Sequence, residues 1–135
     1  MKSSLAREEP IAEARRAAGR AHAPYSGFRV GAVLEDAGGR LHAGCNVECA
    51  SLGLSVCAER AALGAAIASG GRGFRRIWIY TPTSRPTPPC GACRAMLAAL
   101  APRIEVVLVC DRGPVRTVPL SRLLPGALGG AGRKP

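Results

Sequence analysis

The sequence predicts an α/β fold, one mixed sheet with helices on its faces. Two observations carry that expectation. Helix-like and strand-like segments follow one another as α-β-β-α-β-α-β-(β)-α, an order that suits a single layered sheet. The chain is 47% hydrophobic but only 4% aromatic, so its core is to be built from Ala, Val, Leu and Ile. Its 135 residues match the roughly 100–200 residues of one domain, expected over 1–128, with the Gly-rich 129–135 as a flexible tail.

Each element has a local reason. Residues 8–21 (EEPIAEARRAAGRA) read as a helix, with Pro10 in its first turn and Ala, Arg and Glu favouring it. Ala23-Pro24-Tyr25-Ser26-Gly27 is a turn. Residues 28–36 alternate as a strand, and 40–45 return as a second one after a hairpin turn at Ala37-Gly38-Gly39. A Ser- and Gly-containing loop covers 46–56. Cys57 to Ser69 reads as a helix stopped by Gly70-Gly71. Arg76–Thr81 is a short apolar strand. The stretch 82–89 holds prolines at 82, 86, 88 and 89 and must be a loop. Cys90–Leu100 is a short helix, Ile104–Cys110 a buried strand, Val115–Val118 a final strand and Leu120–Leu124 a last helical turn.

The charge balance is basic, 19 Lys and Arg against 9 acidic residues. Such an excess suits an anionic partner. Here the charges are scattered, dense only at Arg72/Arg75/Arg76 and Arg133-Lys134, with no aromatic residues between them to stack bases. Nucleic-acid binding as the main role is disfavoured. No apolar run approaches the roughly 18–20 residues of a membrane helix, and Met1–Pro10 lacks the apolar stretch of a signal peptide. A cytoplasmic protein is expected, and its six cysteines then point to metal or catalysis before disulfides.

Three features stand together: Cys57-Ala58-Glu59 at one helix start, Pro89-Cys90-Gly91-Ala92-Cys93 at the next, and about one helix and one strand between them. Cys90 and Cys93 can reach one ion, and a β-α-β crossover brings Cys57 to the same sheet edge. Helix N-termini favour thiolate over thiol. Three thiolates leave the fourth position of a tetrahedral zinc open, where bound water becomes acidic near neutral pH. Glu59 is placed to move that water's proton. The bland alternatives are a fourth thiolate from Cys45, Cys49 or Cys110 closing the site, and Glu59 as a mere first-turn helix acid. Three thiolates leave zinc a net negative site, which a guanidinium on sulfur would offset. Arg60 and Arg94 are the candidates, each otherwise a solvated helix arginine. His22 and His42 have no partner pattern and read as surface or structural. Asn46 and Glu48, two apart at a strand end, point the same way and offer hydrogen bonds to a diol, or form a solvated loop pair.

Zinc nucleobase deaminases carry H-x-E…P-C-x-x-C, with a three-cysteine variant, and Cys57-Ala58-Glu59…Pro89-Cys90-Gly91-Ala92-Cys93 matches it. With Ala23-Pro24-Tyr25-Ser26-Gly27-Phe28-Arg29-Val30-Gly31-Ala32, Gly44-Cys45-Asn46-Val47-Glu48 and Leu123-Leu124-Pro125, the chain resembles the short, homotetrameric cytidine deaminases from about Ala21 to Leu128. The resemblance implies a three-layer α/β/α sandwich with a five-stranded mixed sheet. It implies one Zn²⁺ per chain on Cys57, Cys90 and Cys93, with Glu59 as the proton shuttle and its contact to N3 of the base. It implies Phe28 lining the base pocket, the Ala58 backbone on the pyrimidine edge, and Asn46 and Glu48 on the ribose 3′-hydroxyl. Arg60 would bond the thiolates, and active sites would be shared between subunits.

The sequence departs from the family's pattern at three recognition positions. Cys49 replaces an asparagine, Leu52 a tyrosine and Leu128 a phenylalanine; Ala95 also replaces a common glutamine. The chemistry is expected to be kept. The substrate is either cytidine or 2′-deoxycytidine, or a modified cytosine nucleoside, including antibiotics of the blasticidin type. Readings of another class are a non-catalytic zinc-stabilised binding module and a polynucleotide deaminase. Glu59 with Asn46 and Glu48 argue against the first, and the lack of a basic, aromatic groove against the second.

Overall fold

A computed structural model of the chain describes residues 4–127. Leu128 and the expected tail at 129–135 lie outside the described residues. The elements run α1 (Ser4–Gly19), β1 (Gly31–Glu35), β2 (Leu41–Cys45), a single 3-10 turn (Leu52–Leu54), α2 (Ala58–Ala68), β3 (Arg76–Tyr80), α3 (Gly91–Leu100), β4 (Glu105–Val109), β5 (Arg116–Pro119) and α4 (Leu120–Leu123). The strands form one sheet in the order β2-β1-β3-β4-β5. β3 and β4 pair in parallel through α3, and the other neighbours are antiparallel. The sheet is therefore mixed and five-stranded, as expected.

The two faces follow from strand alternation. Ala32 and Leu34 of β1, Ile77 and Ile79 of β3, and Val106 and Leu108 of β4 pack with Ala58, Ala62, Leu63 and Ala66 of α2 and Leu97 of α3. Val33, Trp78, Val107 and Val109 point the other way and meet Ala14 of α1. Helices thus cover both faces, giving the three layers.

Several boundaries shift by a residue or two from the sequence reading, and two larger shifts have physical reasons. Phe28–Val30 alternate like a strand but pair with a side chain: Asn46 Oδ1 accepts from Val30 N at 2.8 Å and Asn46 Nδ2 donates to Phe28 O at 2.8 Å. β1 therefore starts at Gly31. The first helix begins at Ser4, so Pro10 lies inside it rather than in its first turn. The residues before Pro10 include Leu5, Ala6, Arg7, Glu8 and Glu9, all good helix formers.

Small residues bring α2 very close to β2. A Cβ at Gly44 would lie 2.3 Å from Ala62 N and 2.7 Å from Ala58 O, where no side chain fits. Ala58 opens α2, so Gly44 sets the height of that helix start over the sheet. Gly31 has the same role under α1, where a Cβ would meet Ala14 O at 1.8 Å.

At the opposite end of β1 the hairpin turn is built on buried Asp36. Its carboxylate accepts from Gly38 N at 2.9 Å and Arg40 N at 3.0 Å, and lies 2.9 Å from Nε2 of buried His42. His42 is therefore structural, and His22 is exposed, both within the range read from sequence. The hydrogen bond from His42, opposed by burial and aided by the Arg40 and Gly38 contacts, holds the Asp36 carboxyl at about 2.

Two outcomes follow from this packing. Gly44→Ala overpacks the α2–β2 contact and is expected to lower stability by about 1–3 kcal/mol, read from denaturant midpoints. Asp36 has a folded pKa below its ordinary value of 3.8, so its contribution is full above that value and is lost as pH falls toward about 2. Asp36→Asn should flatten this acid limb in denaturation curves of the metal-free chain, and an unchanged limb would contradict the assignment.

Candidate metal centre and active site

Two helices begin at cysteines. Cys57 is the N-cap of α2 and Cys90 the N-cap of α3, both in extended backbone, and neither side chain caps its helix. Both sulfurs are left available. Cys93 lies in the first turn of α3, fully buried. The three Sγ atoms lie within 4.8 Å of one another, and Cys57 Sγ to Cys90 Sγ is 3.8 Å. A tetrahedral ion with metal–sulfur bonds of about 2.3 Å needs its sulfurs about 3.8 Å apart. The donor set therefore fits zinc. Among the described residues no other His, Cys, Asp or Glu joins the group. Cys45, Cys49 and Cys110 stand apart from it, so the closed four-thiolate alternative fails among these residues.

The protons on these sulfurs are unequal. Burial pushes the Cys93 thiol well up, and the charges of Glu59 and Cys57 add to it. At Cys90 burial also works upward but is outweighed by hydrogen bonds from the Cys93 backbone and from the Cys93 and Cys57 side chains, so its thiol falls below the ordinary value. Three thiolates in one place require a cation, which is the chemistry of a metal site.

Arg60 supplies part of the positive charge. Its Nη2 donates to Cys57 Sγ at 3.6 Å and to Ser55 O at 3.5 Å. Hydrogen bonds to Cys57 and Cys93 raise its pKa further. Its Nε is buried without a hydrogen-bond partner among the described residues, an unmet donor beside thiols that gain negative charge when metal binds. Arg94 goes elsewhere. Its Nε donates to Pro89 O at 2.7 Å and its Nη1 to Leu123 O at 2.8 Å. The carbonyls, not a sulfur, hold it, because α4 brings Leu123 within reach.

Glu59, in the first turn of α2, is 5% exposed. Burial raises its carboxyl above the ordinary value, against the opposing pull of its own backbone N–H, Cys93 and Arg60. A carboxyl raised in this way exchanges protons closer to neutral pH.

A cavity of about 240 Å³ opens onto these groups, and Phe28, Asn46, Cys57, Ala58, Glu59 and Cys90 all line it. Glu48 does not line it. The Glu48 carboxylate accepts from Tyr25 N at 2.9 Å, from Ser26 N at 3.0 Å and from Ser26 Oγ, and the Ser26 contacts hold its pKa down. Cys49 is half-buried, its N–H donating to Ser55 Oγ at 2.9 Å. Leu52 is 74% exposed, outside the cavity of the single chain. Among the further lining residues that escaped the sequence reading, two are polar, Thr81 and Thr87. Their only signal is the recurrence of threonine among the prolines that lead to Cys90.

Comparison with known proteins agrees with this geometry. Residues 6–110 match the model of the cytidine and deoxycytidylate deaminase zinc-binding region. A cytidine deaminase of Halalkalibacterium halodurans is 44% identical over 122 residues, 90% of this chain and 92% of that protein. The crystal structure of cytidine deaminase from Burkholderia pseudomallei superposes with a TM-score of 0.86 at 45% identity, over 90% of this chain and 98% of that one. That of Mycobacterium tuberculosis gives 0.76 at 34% identity, over 95% and 99%. A match of this extent, running through all three clustered cysteines, makes this chain a member of the cytidine and deoxycytidylate deaminase family.

Proposed function

We propose that this chain hydrolytically deaminates a cytosine nucleoside, cytidine or 2′-deoxycytidine, to the uracil form and ammonia. The observation that carries the reading is the three-sulfur cluster, open on one side, with buried Glu59 beside it in the same cavity. Zinc, one per chain on Cys57, Cys90 and Cys93, supplies an acidified water when bound. Glu59 would carry both protons of the attacking water, the first to N3 of the ring and the second, from the hydroxyl added at C4, to the amine as it leaves. Water in and ammonia out balance the reaction.

Other residues bind and orient. Ala58, first in α2, has a backbone N–H without an intrahelical partner, which suits the pyrimidine edge. Phe28 forms an apolar wall for the base. Asn46 is bonded at both ends of its amide, yet an amide keeps one further donor and one further acceptor for a ribose hydroxyl. Glu48 fixes the turn at 25–26 through Oε1, and Oε2, which accepts only from Ser26 Oγ, keeps one lone pair for the same diol. Arg60 tempers the negative charge of the thiolates.

A cavity of about 240 Å³ suits a single nucleoside. Cytoplasm is supported by the six free thiols. A homotetramer with shared active sites is supported by one strongly apolar loop: Leu52 is 74%, Leu54 70% and Val47 47% exposed. Light scattering of the intact protein should give the mass of four chains, and Leu52→Ser/Leu54→Ser should shift it toward smaller species. A monomeric parent would refute this assembly.

The direct test follows the ultraviolet change of cytidine and 2′-deoxycytidine with zinc-loaded protein. Glu59→Gln should bind zinc at one per chain and lose activity by ~100-fold to ~10,000-fold. Zinc-loaded protein that leaves both nucleosides intact would overturn the reading. Blasticidin-type and base-modified cytosine nucleosides belong in the same panel, because Leu52 stands where the family has a tyrosine. A faster rate on one of these would mean that the recognition positions have moved specificity.

A further inference from the structure

The stretch between β3 and α3 delivers Cys90 to the site, yet it is poorly equipped to hold a shape. Residues 82, 86, 88 and 89 are prolines, so half of the segment lacks an N–H and few backbone hydrogen bonds are open to it. The helix that follows holds Cys90 by one backbone bond, Arg94 N to Cys90 O at 3.0 Å, while Cys90, Gly91 and Ala92 are exposed and burial within α3 begins at Cys93.

Threonine hydroxyls supply the missing bonds. Thr83 Oγ1 donates to Arg85 O at 2.7 Å and lies 2.8 Å from Thr81 Oγ1 and 3.2 Å from Thr87 Oγ1. A hydroxyl has one proton and two lone pairs. With its proton on Arg85 O, Thr83 accepts from Thr81, and it shares the single Thr87 proton with Arg85 O. Thr87 also reaches Arg85 O at 3.1 Å.

This hub is tied to the sheet. Thr81 N donates to Val109 O at 3.0 Å, Thr83 N to Thr81 O at 2.9 Å, and Asp111 N to Thr83 O at 2.9 Å, so the pairing of β3 with β4 continues past the strand ends. The turn after β4 presses on the same loop, since a Cβ at Gly113 would meet Ser84 O at 3.0 Å and Pro86 Cδ at 3.2 Å. From the other side Arg94 holds Pro89 O. Thr83 and Arg94 thus grip the loop on either side of its last residues before Cys90.

We propose that Thr83 is a positioning residue for Cys90: its hydroxyl hub fixes the 82–89 loop so that the Cys90 sulfur meets Cys57 and Cys93, and holds Thr81 and Thr87 as walls of the cavity. The inference rests on the reading of the three cysteines as zinc ligands.

The test uses the full-length, zinc-loaded chain and an excess of a chromogenic chelator, with release of zinc followed in time. The cobalt-substituted protein is compared by its sulfur-to-metal and ligand-field absorption. Thr83→Val keeps the shape and removes the hydroxyl. It should release zinc about tenfold faster than the parent and shift the cobalt spectrum, while Thr83→Ser should restore both. If Thr83→Val releases zinc at the parent rate with an unaltered cobalt spectrum, the proposal is overturned, even where its thermal midpoint drops. Should Thr83→Val fail to fold, Thr87→Val removes only the arm nearest Cys90; faster release supports the proposal and an unchanged rate overturns it. A parent chain that takes up no zinc would overturn the zinc reading as well, an outcome distinct from parent-like release by the variants.

Discussion

Two helix starts must meet to within the width of one ion, and the rest of the molecule is arranged around that meeting. The 3.8 Å between Cys57 Sγ and Cys90 Sγ leaves little tolerance, because metal–sulfur bonds and tetrahedral angles are stiff. The two cysteines reach the site along different routes. Cys57 arrives at the end of a loop returning from β2, and Cys90 at the end of the proline-rich loop from β3. Each is held by packing or hydrogen bonds along its length and by bonds at its last residue, Val56 N to Val47 O at 2.9 Å and Arg94 Nε to Pro89 O at 2.7 Å.

On the α2 side the device is absence of volume. Gly44 leaves room for Ala58 and Ala62 to sit almost on the strand, and the alanine-rich helix keeps its buried face flat. A core poor in aromatics suits this design, since bulky rings would force the layers apart. On the α3 side the device is polar: hydroxyls and one guanidinium satisfy a loop that has few N–H groups of its own. One half of the site is therefore placed by close packing and the other by hydrogen bonding.

The chemistry-bearing residues were legible because their relations are local. Cys57 with Glu59, and Cys90 with Cys93, sit within one helical turn of each other, and spacing alone puts them together. The layer order was legible for a similar reason, each element having its own pattern and stop signals. What was hidden depends on where distant segments come to lie. Arg94 stands beside Arg60 as a second candidate partner for sulfur, but Leu123, 29 residues on, draws it to a carbonyl. Phe28–Val30 carry the alternation of a strand, yet the Asn46 amide takes the hydrogen bonds a neighbouring strand would have made. His42 seemed partnerless because Asp36 faces it only once the hairpin has closed. The Thr83 hub has no motif at all, since hydroxyl geometry exists only after the loop has folded.

The caps of α2 and α3 tie two helices to one site. Both helices start at a cysteine whose side chain makes no capping bond, where Ser, Thr, Asn or Asp would stabilise the helix by roughly 1 kcal/mol. Thiolate charge, present when metal is bound, interacts favourably with the positive helix ends. The metal thereby acts as a shared cap for two helices as well as a reactive centre. The first turns of α2 and α3 would therefore lose their cap together if the ion left, since one ion would serve both helix starts.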